Sequence, residues 1–161
     1  MYFWLYDETP EHQSTFIELA EEQLYDQWTF NRVALDFVIQ AGCPDDSEHF
    51  PDSPWLIEPE FNDDITHKYG AVGMGRDENP GKLSNGCQFY IISNEEGVHR
   101  LDGEYTVFGT VIGGLDVVEA IEHVETDDSD QPVTDINITV TIEHKTAQEL
   151  LDEFDWDVDA L

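Results

Sequence analysis

The amino-acid sequence predicts a mainly β domain, a β-barrel capped by short helices, on three observations. Short runs rich in β-branched and aromatic residues recur from Tyr2 to Ile142, separated by Gly, Pro, Asn and Asp. Apolar residues at helical spacing form only two or three short stripes. The 161 residues suit one domain around one apolar core, and no internal repeat divides them.

The elements follow in order. Residues 2–6 are an aromatic and apolar run that fits a buried strand. Thr9-Pro10 starts a helix, with Thr9 as N-cap and Pro10 at the first helical position. Phe16, Leu19, Ala20 and Leu24 form its apolar face, while Glu18, Glu21 and Glu22 face water. The runs 28–33 and 37–41 read as two strands joined by Ala34-Leu35-Asp36. Residues 42–64, with Pro44, Pro51, Pro54 and Pro59, read as loop. Strands are expected at 69–74 and 88–93, on either side of a polar loop over 75–86. The run 106–112 is a further strand, 115–123 a short helix, and 124–132 an acidic turn region. Residues 136–142 alternate β-branched with polar side chains, as a half-buried strand does. Thr146 and Glu149 make a capping box for a tail helix with Ala147, Leu150, Leu151 and Phe154 on one face. The expected organisation is a domain over 1–145 and an acidic helical tail over 146–161.

Charge narrows the partners. There are 37 acidic residues against 6 lysines and arginines, a formal balance of −31. Such a chain repels nucleic-acid phosphates and anionic membrane surfaces, so neither is an expected partner. The acids are spread along the whole length, unlike a docking tail, which fits a surface adapted to high salt, where self-repulsion is screened. No apolar run approaches the roughly 18 residues of a membrane span. The opening Met1-Tyr-Phe-Trp-Leu-Tyr-Asp7 lacks a basic n-region and a cleavage site, and a cytoplasmic location is expected. Cys43 and Cys87 are the only cysteines and suggest no disulfide framework.

Chemistry by motif is mostly excluded. No phosphate-binding loop, dinucleotide fingerprint or zinc spacing is present, and the six histidines are scattered. No nucleophile elbow or acid–base dyad stands out. No metal or cofactor is therefore expected. Four segments do stand out together: Phe30-Asn-Arg-Val-Ala-Leu-Asp-Phe-Val-Ile-Gln-Ala-Gly42; Glu60-Phe-Asn62 with His67 and Gly70-Ala-Val-Gly-Met74; Ser84-Asn-Gly-Cys-Gln-Phe-Tyr-Ile91; and Leu101-Asp-Gly-Glu-Tyr-Thr-Val-Phe-Gly109 running on to Gly114-Leu-Asp-Val-Val-Glu-Ala-Ile121. Their order and spacing over residues 2–143 resemble the cyclophilin family of peptidyl-prolyl cis-trans isomerases.

The resemblance implies a closed antiparallel barrel of about eight strands, capped by two helices, with a substrate groove on its outer face. The chain opens at what resembles the family's second strand, so the usual first strand is expected to be lacking. Arg32 falls at the position of the family's catalytic arginine, and Phe37, Val38 and Gln40 follow it at the family spacing. Gln88 and Tyr90 match the next groove positions, and Leu101 and Tyr105 match the proline pocket. Gly75 and Arg76 would hold the residue before proline. The chemistry suits these types. An X-Pro bond rotates in tens to hundreds of seconds because amide resonance resists twisting. No covalent bond breaks, so catalysis comes from binding the twisted amide better than either planar form. A fixed guanidinium stabilises the lone pair that grows on the proline nitrogen, or the adjoining carbonyl oxygen. Arg32 stays charged at any physiological pH. Phe37, Val38, Tyr90 and Leu101 would grip the ring, and Gln40 and Gln88 would orient the chain. On the same grounds Arg32, Phe37 and Gln40 are the expected catalytic set.

Departures from the pattern set further expectations. Val38 replaces a common methionine, and Tyr105 a frequent histidine. His99 or Arg100 stands where many members carry the tryptophan that binds cyclosporin, so weak cyclosporin binding is expected. The expected substrates are proline-containing peptides and folding proteins, and the expected state is a monomer. The alternative is a weakly active module that holds a proline-containing segment of a partner.

Overall fold

The computed structural model describes residues 1–46 and 48–159, in eight strands and three α-helices. The strands are β1 (Tyr2–Leu5), β2 (Thr29–Ala34), β3 (Val38–Gly42), β4 (Leu56–Ile57), β5 (Ala71–Met74), β6 (Ser84–Asn85), β7 (Gln88–Ile92) and β8 (Val107–Gly113). The helices are α1 (Pro10–Glu21), α2 (Leu115–Glu122) and α3 (Ala147–Phe154). Six strands form one antiparallel sheet in the order β1-β8-β5-β7-β3-β2, and β4 pairs with β6 in a two-stranded ribbon. The mainly β class with flanking helices is the one the sequence predicts.

One face of the sheet carries the main core. Phe30, Val33, Ile39, Ala41, Val72, Met74, Phe89, Ile91, Phe108 and Val111 pack there against Phe16, Leu19 and Ala20 of α1 and Val118 and Ile121 of α2. Period-2 alternation in each strand sends the intervening residues to the opposite face, where Val38, Tyr90, Ile92, Leu101 and Val107 form a second cluster with Phe37 and Tyr105 beside it. That second face positions the groove.

Four sequence expectations change. Residues 136–142 keep the predicted alternation, Ile138 buried and Asn137, Thr139 and Thr141 exposed, but do not form a strand. On one side the segment runs along β2 and the residue before it, through the Thr29–Asn137 bridge, the Phe30 N–H bond to the Ile136 carbonyl and the Ile138 N–H bond to the Trp28 carbonyl. On the other side lies a cleft of about 770 Å³ between this segment and β1, and the contacts with the β2 side stop at one isolated bridge, too few for a ladder. The regions taken as loop over 42–64 and 75–86 contain β4 and β6, which pair with each other almost thirty residues apart. Thr9 precedes α1 as expected, yet its hydroxyl donates to the Tyr6 carbonyl and caps nothing. The free N–H groups of Glu11 and His12 donate instead to the two carboxylate oxygens of Glu60, at 3.1 and 2.9 Å. A distant acid thus supplies the charge that a helix N-terminus favours.

The fourth change is the cysteines. Cys43 and Cys87 form a disulfide with Cα atoms 5.4 Å apart. The pairing of β3 with β7 sets Gly42 opposite Gln88 at the end of the ladder, which brings the two flanking cysteines together. Nothing local announces a bridge between residues 44 apart. The tail helix α3 carries the predicted capping box, with Thr146 and Glu149 satisfying each other's N–H groups. It packs on β1: Leu150 is buried and the Phe154 ring lies 4.8 Å from that of Tyr2.

Candidate active site

Strand register builds the site. Arg32 on β2 pairs with Gln40 on β3, Gln40 with Tyr90 on β7, and Tyr90 with Gly73 on β5. Directly opposed residues point to the same face, so three functional side chains stand in one row across the sheet. The absent side chain at Gly73 completes it. A Cβ there would collide with the tip of the Tyr90 ring, so only glycine lets that ring lie across β5. Two residues further along, Gly75 leaves the same kind of space for the Gln88 carboxamide.

Around this row lies a groove of about 260 Å³. Arg32, Phe37, Val38, Gln40, Gly75, Arg76, Gln88, Tyr90, Leu101 and Tyr105 line it, together with Asp45 and Arg100. The structure therefore brings together all ten residues singled out from the sequence. It adds two. Asp45 sits in the acidic loop after Cys43, where no sequence pattern distinguishes it from its neighbours. Arg100 was noted only as the occupant of a tryptophan position.

Cations dominate the walls. The Arg100 guanidinium lies 4.7 Å from the Phe37 ring centre and that of Arg32 lies 5.7 Å from it. The Arg76 guanidinium stacks 4.3 Å over Tyr105 and donates to the Glu104 and Asp77 carbonyls. Such contacts hold a guanidinium over an aromatic face by roughly 0.5–1 kcal/mol at exposed sites. Arg76 also lies near the Glu104 carboxylate, whereas among the described residues neither Arg32 nor Arg100 has a carboxylate partner.

Buried polar contacts fix the groove from beneath. Gln88 Nε2 donates to the Cys43 carbonyl at 3.0 Å and to Asp45 Oδ1 at 2.9 Å, so the disulfide-bound loop holds this amide in place. Gln40 donates to Asn31 Oδ1, and Asn31 to the Gly42 carbonyl. His67 links the groove to the loop after Leu101. Its Nδ1–H donates to Asp102 at 2.7 Å, which leaves Nε2 to accept the Tyr90 hydroxyl at 2.8 Å. Burial pushes the Tyr90 phenol well above its ordinary range, so it remains a donor. Burial likewise lowers the His67 imidazole, against the opposing pull of Asp102. Burial raises the Asp102 carboxyl, but the hydrogen bonds from His67 and His99 together outweigh this and hold it below the usual range.

A second buried relay has the residue types of a hydrolase triad. His12 donates from Nδ1 to Glu60 at 2.6 Å and accepts from Ser84 Oγ at Nε2 at 2.8 Å. Both His12 and Ser84 are at most 1% exposed, so no substrate reaches that hydroxyl. The relay ties α1, the 58–61 loop and β6 together, and hydrolysis finds no site here. Among the described residues no group of three metal-ligating side chains is present. The groove itself offers an apolar floor, a charged wall and no nucleophile. Such a site can bind and distort a peptide without breaking a covalent bond.

Known proteins share this architecture. The family model "Cyclophilin type peptidyl-prolyl cis-trans isomerase/CLD" matches residues 1–142. The chain is 38% identical over 134 residues to peptidyl-prolyl cis-trans isomerase-like 2 of Rhizopus delemar, covering 82% of this chain and 24% of that one. It is 31% identical to the isomerase CYP18-2 of Arabidopsis thaliana, covering 84% of this chain and 82% of the relative. Its likeness to the Arabidopsis thaliana isomerase CYP18-1 is 35% identity, covering 84% of both chains. It thus spans about a quarter of the fungal relative and over four fifths of the two plant ones. A crystal structure of a Cryptosporidium parvum cyclophilin-type isomerase, determined in the presence of the dipeptide Ala-Pro, superposes with a TM-score of 0.76 at 24% identity, covering 89% of this chain and 92% of that one.

Proposed function

The chain belongs to the cyclophilin-type peptidyl-prolyl cis-trans isomerase family, and from that membership we propose that the groove beside Arg32 accelerates X-Pro rotation in peptides and folding proteins. One observation carries the assignment of residues: the ten positions chosen by sequence converge on a single groove. The Ala-Pro dipeptide present with the structural neighbour supports a proline-containing ligand here.

The proposed mechanism uses no covalent step. Proline enters between Phe37, Val38, Leu101, Tyr105 and the Tyr90 ring, which exclude water from the amide. Gln40 and Gln88 hold the flanking backbone, Gln88 being anchored already by Asp45 and the Cys43 carbonyl. Gly75 and Arg76 border the segment before proline. Arg32, held near Phe37 and with no carboxylate partner among the described residues, directs its N–H groups at the twisting amide. An electrostatic gain of about 2.7 kcal/mol made only with the twisted form corresponds to roughly a hundredfold in rate. The experiment is Arg32→Ala in an isomerase assay on a short Ala-Pro peptide. The expected result is a loss of kcat/KM of about two orders of magnitude, the size of one electrostatic donor, with an unchanged melting temperature. A folded variant with the parent rate refutes the assignment.

A further inference from the structure

All three arginines of this chain line one groove, in a molecule with 37 acidic residues. Arg76 is engaged by Glu104 and by backbone carbonyls. Arg100 is different. It is exposed, it stands on the short turn His99–Leu101 at the edge of the groove, and its guanidinium covers the Phe37 ring at 4.7 Å. Among the described residues it makes no ion pair. Arg76, Lys82 and Lys145 each have a carboxylate partner, and Arg100 has none among the described residues. A guanidinium carries five donors in a fixed fork that matches a carboxylate. Held over Phe37 with its donors unspent, Arg100 presents that fork at the rim of the proline pocket.

We propose that Arg100 is a specificity residue that selects substrates with an acidic side chain flanking the proline. The inference rests on the isomerase reading of the groove and concerns which X-Pro segments it takes. The remainder of the surface opposes it: a net charge of −31 repels acidic peptides at long range and attracts basic ones. Screening separates the two effects. In molar salt the Debye length is about 3 Å, so the distant acids lose their influence and the groove's own charges decide, Arg100 at its exposed rim and Arg32, Arg76 and Asp45 within it.

The test compares matched short peptides bearing Glu, Gln or Lys on either side of the same proline, assayed in molar KCl with the wild-type chain, Arg100→Gln and Arg100→Glu. The wild type is expected to prefer Glu over Lys by about fivefold in kcat/KM at one of the two positions, the size of an exposed attraction gained and an exposed repulsion lost. Arg100→Gln should bring that ratio close to one, and Arg100→Glu should invert it. Arg100 is exposed, so neither substitution threatens the core. A wild-type ratio near one, or a preference unchanged in both variants, overturns the proposal. Activity on the parent Ala-Pro peptide reports separately on the isomerase reading. Calorimetric Kd values for the same peptides read the selectivity even without turnover.

Discussion

At the scale of single residues, the groove depends on one absent side chain as much as on those present. Gly73 faces Tyr90 across the β5–β7 ladder, and the phenol tip occupies the volume a methyl group would need. The Tyr90 ring cannot retreat freely, because its hydroxyl is held by His67, and His67 by Asp102. Gly73→Ala should therefore push the ring out of its place in the pocket. The expected outcome is a loss of kcat/KM of roughly tenfold, the range of about 1–3 kcal/mol for an overpacked site. It is measured in the proline-peptide assay, with circular dichroism to verify the fold. Unchanged activity would show that the ring's position does not matter to catalysis. Arg32, Gln40 and Tyr90 were legible in the sequence because the family spacing marks them. The supports beneath the groove were not, since His67 holds Tyr90, Asp102 holds His67 and Asp45 holds Gln88 through contacts made across loops.

At the scale of elements, the disulfide joins the ends of β3 and β7 beneath Gln88. Closing a 44-residue loop stabilises by about 4 kcal/mol in the chain-entropy description. Replacing both cysteines by serine is expected to lower the melting temperature by about 10 °C, given roughly 2–4 °C per kcal/mol for a chain of this size. Scanning calorimetry of the double variant checks this, and a change under 2 °C would show that the bridge contributes little. The same loop anchors Gln88, so the variant should also lose activity. Helix α3 illustrates the opposite case. Its capping box was readable because both partners lie within one turn, and of its apolar stripe Leu150 and Phe154 meet the domain while Ala147 and Leu151 stay exposed. The run 136–142 shows where such reading stops: a strand needs a continuous ladder as well as a pattern, and this run makes one isolated bridge.

At the scale of the molecule, pH and salt act on different groups. Burial holds the imidazole of His12 below its ordinary range, against Glu60, and does the same to His67. Each folded pKa lies below the unfolded value of about 6.5, so the native state disfavours the added proton. Their contribution is complete above the unfolded value and is lost as the pH falls through the folded values. His123, raised by its bond to the Glu119 carbonyl at an exposed site, works in the opposite sense. The melting temperature in molar KCl should be flat from pH 8 to 7 and decline below about pH 6.5. Invariance between pH 7 and 5 would exclude this coupling. The reading of the surface as salt-adapted is a proposal with its own check. With 31 excess acids, repulsion over about 10 Å at 0.1 M salt is screened as salt rises. The melting temperature should then climb between dilute buffer and molar KCl, and a flat or falling curve would remove the proposal.

By itself the sequence determined most of the elements and the residues expected in the groove. Period-2 runs, turn residues and the Thr146–Glu149 cap are decided by neighbours a few positions apart, and the family spacing carries the site residues with them. Tertiary structure decided what those elements meet. It gave α1 a cap from Glu60, 48 residues beyond His12, joined Cys43 to Cys87, paired β4 with β6, and left residues 136–142 beside a cleft. It also gathered three scattered arginines around one groove. The physical reason is common to all of these. Local geometry is fixed by contacts within a turn, whereas strand register sets which distant residues become neighbours.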